Sequence, residues 1–70
     1  MEDITENHVV THNGLQIDVK ILRRGGVYIP LSYDVYKGNQ CINHRLSDTM
    51  IKKIEGILSD YCYEMNQDIN

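Results

Sequence analysis

The chain has no phenylalanine and no tryptophan, one proline and two cysteines in 70 residues. Without Phe or Trp, the core must come from Ile, Leu, Val, Met and some of the five tyrosines. A chain of this length makes one domain and buries only roughly 60% of its unfolded surface. A cavity for a sizeable substrate would take core the chain can hardly spare. A second subunit or a partner would add to it. Cys41 and Cys62 are too few for a disulfide scaffold, so both are expected to be reduced thiols in small hydrophobic settings. No apolar run approaches the roughly 18 residues of a membrane span. The segment Met1-Glu2-Asp3-Ile4-Thr5-Glu6 is acidic and has no apolar stretch of the signal-peptide kind, so a cytoplasmic location is expected. Basic excess is missing too. The net charge of −3 argues against a general polyanion binder.

What is present is alternation. Leu15, Ile17, Val19 and Ile21 alternate with polar residues, and so do Val27, Ile29, Leu31, Tyr33 and Val35. On a strand each set covers one face. Asn13-Gly14 is a strong two-residue hairpin signal, because both turn positions need φ > 0. It pairs His12 with Leu15, Val10 with Ile17 and His8 with Val19. For Arg24-Gly25-Gly26 a three-residue loop is expected, pairing Ile21 with Ile29, Val19 with Leu31, Ile17 with Tyr33 and Leu15 with Val35. Only that parity buries both sets together. Gly38-Asn39 would pair Val35 with Ile42 and Tyr33 with His44.

After Ser47, a natural N-cap preceded by Leu46, the pattern turns helical. Met50, Ile51, Ile54, Ile57, Leu58, Tyr61, Cys62 and Met65 recur at three- and four-residue spacing and form one apolar stripe. The expected fold is α+β: a four-stranded antiparallel meander in order 1-2-3-4, packed on one face by a single C-terminal helix. Residues 1–70 form one domain, with 1–5 and 66–70 expected to fray.

No arrangement for chemistry stands out. His8 and His12 share a strand face but lie roughly 13 Å apart, too far to ligate one ion. His44 and Cys41 alternate faces. Cys62 sits late in the helix, where the dipole disfavours a thiolate. In the expected register Asp18 and Asp34 are ~10 Å apart. No cofactor, metal or catalytic residue is assigned, and the protein is expected not to be an enzyme.

What remains is surface. The second side of the sheet carries Val9 and Thr11 on strand one and Gln16, Asp18, Lys20 and Leu22 on strand two. Strand three adds Tyr28, Pro30, Ser32, Asp34 and Tyr36, and strand four Cys41, Asn43 and Arg45. Tyr and Arg are enriched at interfaces. On the helix, Asp60, Glu64 and Asp68 form an acidic ridge, while Lys52 and Lys53 come early, so both ends oppose the helix dipole. The expected function is a small non-catalytic protein-binding module, such as an inhibitor or antagonist of the kind carried by phages and mobile elements. Its contact residues are Tyr28, Tyr36, Lys20, Arg45, Asp60 and Glu64. Its partner is another protein, with a second copy of the chain as a further one.

Over residues 8–65 the order of elements is similar to the single-stranded-DNA-binding domain of the transcriptional coactivator positive cofactor 4 and its prokaryotic relatives. That resemblance is one of topology and spacing. It implies a dimer that binds single strands through basic and aromatic residues of the open sheet face, with Lys20, Tyr28, Tyr36 and Arg45 in those roles.

Overall fold

The computed structural model describes residues 3–69, and side chains as far as residue 67. Residues 1, 2 and 70, which fall in the termini expected to fray, lie outside the described residues. Strands β1 (Ile4–His12), β2 (Leu15–Arg24), β3 (Val27–Lys37) and β4 (Gln40–Cys41) form one antiparallel sheet in order β1-β2-β3-β4. A 3-10 turn (Asn43–Arg45) leads into helix α1 (Asp48–Ile69), giving the expected α+β meander.

The first hairpin follows from local chemistry. Asn13 and Gly14 both have positive φ, +48° and +78°, as a two-residue turn between twisted strands requires. His12 pairs with Leu15, Val10 with Ile17 and His8 with Val19, as expected.

The second hairpin departs from expectation. Gly25 and Gly26 have φ of +59° and +82°, and Arg24 pairs directly with Val27. The loop therefore has two residues, not three. On its own it would put the apolar sets of β2 and β3 on opposite faces. A bulge repairs the parity partway along. Lys20 pairs with Ser32 and Ile21 with Pro30, which leaves Leu31 as the extra residue. Beyond the bulge Val19 pairs with Tyr33, Ile17 with Val35 and Leu15 with Lys37. The pairings Ile21–Ile29, Val19–Leu31, Ile17–Tyr33 and Leu15–Val35 do not form. Proline has no N–H to lose from a ladder, so a disruption at Pro30-Leu31 sacrifices little.

Strand β4 is also shorter than expected. The Ile42 N–H bonds the Val35 carbonyl at 2.8 Å, but the strand ends there. Asn43 replaces its continuation: its Oδ1 accepts the Val35 N–H and its Nδ2 donates to Asp34, both at 2.7 Å. His44 therefore does not pair with Tyr33, and Asn43 and Arg45 belong to the 3-10 turn.

Ser47 caps α1, its Oγ accepting the Met50 N–H at 3.2 Å. Ile54, Leu58 and Cys62, four residues apart, are buried on Ile17, Val19, Ile21, Val35 and Ile42. Half-buried Leu46, Tyr61 and Met65 extend this core. Asn66, expected in a frayed tail, lies inside the helix. Its Oδ1 accepts the Tyr28 N–H at 2.7 Å and its Nδ2 donates to the Tyr28 carbonyl at 3.3 Å. At the other terminus the Arg24 guanidinium makes a two-pronged pair with Asp3, at 3.1 and 2.8 Å. It holds the Asp3 carboxyl below its ordinary pKa, and Asp3 in turn raises that of Arg24.

Candidate partner-binding face

The bulge determines which side chains the open face presents. On the loop side of it, β3 turns Tyr28 and Pro30 toward α1 and Val27 and Ile29 away. Tyr28, expected on the open face, is half-buried against the core, with the Arg23 guanidinium 5.7 Å from its ring centroid. Val27 and Ile29, expected inside, are 49% and 41% exposed.

Four cross-strand rows make up the open face. The first is apolar: Thr5, Leu22 and Ile29, with Val27 on the diagonal. The second is Asn7, Lys20 and Ser32. The third is Val9, Asp18 and Asp34. The fourth is Thr11, Gln16 and Tyr36, to which Cys41 adds from β4. Rows two and three line a shallow groove.

Asp18 and Asp34 are direct cross-strand partners, not residues ~10 Å apart as the expected register had them. Like charges placed opposite each other destabilise a sheet. Each is compensated by an amide: Gln16 Nε2 donates to Asp18 at 2.9 Å and Asn43 Nδ2 to Asp34 at 2.7 Å. Two carboxylates side by side, with Lys20 one row away, suit a cationic side chain better than a phosphate. Tyr36 stands beside them. Cys41, then burial, then Asp34 and Asp18 push its phenol above the ordinary value.

The other expected contact residues are dispersed. Lys20 lies exposed on the open face, and Arg45 is exposed in the 3-10 turn. Asp60 and Glu64 are exposed on the helix, so the ridge is a separate surface. Its third member, Asp68, falls outside the described side chains.

One polar cluster has no counterpart in the sequence reading. The His8 ring lies between Glu6 Oε1 and the Tyr61 hydroxyl, each 2.8 Å from a different ring nitrogen. A carboxylate only accepts, so Nε2 carries a proton toward Glu6, and Nδ1 of a neutral ring accepts from Tyr61. The rings of His8 and Tyr61 meet edge-on, with centroids 5.6 Å apart. Strand parity puts Glu6 and His8 on the helix side of β1, but nothing local foretells Tyr61, 53 residues away. The cluster ties α1 to the edge strand. With both ring nitrogens engaged, His8 is not free to ligate a metal. Among the described residues no group of three or more His, Cys, Asp or Glu is placed to hold an ion. No described helix is long and apolar enough to cross a membrane.

Compared with protein-family models, curated proteins and solved structures, the chain matches none.

Proposed function

We propose that the protein is a non-catalytic protein-binding module that uses its open sheet face, in the manner of a small inhibitor or antagonist. The observation that carries this reading is the split of the apolar set of β3. A 70-residue chain short of core leaves Val27 and Ile29 49% and 41% exposed on that face, with Val9 at 60%. An apolar row at one end of the face, followed by the Lys20 row, the carboxylate pair and Tyr36, offers apolar and polar contacts on one surface. The partner would offer an apolar side chain to the Leu22–Ile29 row and a basic one to Asp18 and Asp34.

Single-strand binding has less to draw on. Tyr28 leaves the face, and Asp18 and Asp34 oppose a phosphate backbone beside Lys20.

The test is capture from lysate with three baits: wild type, Ile29→Asp with Tyr36→Ala, and Asp60→Lys with Glu64→Lys. The reading expects a protein held by the wild type and the ridge variant and lost by the face variant, whose melting temperature should stay within a few degrees of wild type. Loss only with the ridge variant would move the contact to α1. Binding of an oligothymidylate that weakens steeply with salt would favour the nucleic-acid reading.

A further inference from the structure

The two edges of the sheet are treated differently. The β3 edge is interrupted in four ways: β4 covers Tyr36 and Lys37, Asn43 takes the Val35 N–H, Pro30 and the bulge break the strand, and Asn66 occupies the N–H and carbonyl of Tyr28. These are the devices by which sheets avoid unwanted pairing. Among the described residues the β1 edge has none of them. It runs nine residues with unbroken register against β2, contains no Pro, Lys or Arg, and has a strand on one side only. The two-residue Asn13-Gly14 turn makes His12–Leu15 a hydrogen-bonded pair, so inward bonding recurs at Val10, His8 and Glu6. Thr5, Asn7, Val9 and Thr11 therefore point their backbone N–H and carbonyl groups outward. Their side chains, all on the open face, are uncharged and exposed.

We propose that β1 is a self-pairing edge: two copies of the chain join antiparallel along it, about a two-fold axis at Asn7, into a continuous eight-stranded sheet. The strand is complementary to itself in that register. Ile4 meets the second copy's Val10, Thr5 its Val9, Glu6 its His8, and Asn7 its Asn7. Glu6 and His8 already touch within one chain at 2.8 Å, so around the axis two carboxylates and two imidazoles alternate. The pairing also covers Ile4 and Val9, which are 45% and 60% exposed. An axis at His8 would set His8 on His8 and Glu6 on Val10. An axis at Val9 would leave Ile4 unpaired. A two-fold contact of this kind closes on itself, so it yields a dimer and not a fibre. It also joins the two open faces into one surface. The joint is mostly one strand pair, below the ~1,200 Å² of a standard interface, so it belongs to the weak class.

Sedimentation of the full chain between about 5 µM and about 1 mM tests this, that window spanning the weak class. The wild type is expected to pass from monomer to dimer. Thr5→Lys with Val9→Lys places two ammonium groups together at each of two cross-dimer pairs and should shift the midpoint at least tenfold higher. Thr5→Glu with Val9→Lys converts those same pairs to opposite charges and should restore the wild-type midpoint. Positions 5 and 9 of one strand are ~13 Å apart, so the rescue works only between copies in this register. Circular dichroism confirms that each variant stays folded. A wild type that remains monomeric throughout overturns the proposal. So does a dimer indifferent to the double lysine change, which would form through another surface, and so does failure of the Glu/Lys pair to rescue.

Discussion

Replacing Ile54 with alanine tests the helix–sheet contact most directly. Ile54 is 3% exposed, sits on the buried stripe one turn before Leu58, and lines a groove with Leu15 and Ile17 of β2. The change removes three carbons, about 2.4 kcal/mol at ~0.8 kcal/mol each. A cavity left behind adds to this, which is why measured losses at such sites span roughly 2–5 kcal/mol. Here the added part should be small. A groove lined by Leu15, Ile17, Met50, Ile54 and Ile57 already opens beside the site, so the vacated space is not sealed. The expected loss is therefore about 2.5–3.5 kcal/mol, toward the lower end of the range. At ~4–8 °C per kcal/mol for a domain of this size, the melting temperature should fall by roughly 10–28 °C. A domain this small holds on the order of 4–10 kcal/mol in total, so the variant stands close to unfolding. Far-UV circular dichroism on heating, with urea titration at 25 °C, measures both quantities. The half-buried neighbour Ile57→Ala should lose clearly less. A drop below about 5 °C for Ile54→Ala would refute the packing argument.

Three further outcomes follow from the same packing. Gly56→Ala should stabilise by about 1 kcal/mol, because the position is mid-helix and exposed and a Cβ there meets nothing within 4 Å; the melt would rise by several degrees. Asn66→Ala should cost about 1–3 kcal/mol, since the side chain makes two bonds to the Tyr28 backbone; hydrogen exchange at the Tyr28 amide should accelerate along with the lower melt. In a thiol-labelling experiment near pH 8, exposed Cys41 should react at once. Cys62 should react only on unfolding, because burial both shields its sulfur and pushes its pKa up; equal labelling rates would contradict its place in the core.

Much of the fold is local and was legible as sequence. Asn13-Gly14 determines the first hairpin, because two adjacent positive φ angles at those residues admit one loop length. The stripe Ile54, Leu58 and Cys62 determines the buried face of α1, because helical spacing returns to the same side every three or four residues. Alternation along β2 decides which of its faces is inside. The second hairpin is different. Gly-Gly accepts positive φ at both positions, so it suits a two-residue loop as well as the three-residue one, and local chemistry does not separate them. Tertiary packing decided the matter through the bulge at Leu31. That one residue turned Tyr28 toward the helix and Ile29 outward, and brought Asp18 opposite Asp34. The end of β4 was decided the same way, by Asn43 reaching across to Val35 and Asp34. The link from His8 to Tyr61 spans 53 residues. Turns and helical stripes are set by neighbours in the chain. Register, bulges and side chain–backbone caps are set by which distant groups must share one buried face, and that choice exists only once the sheet and helix have met.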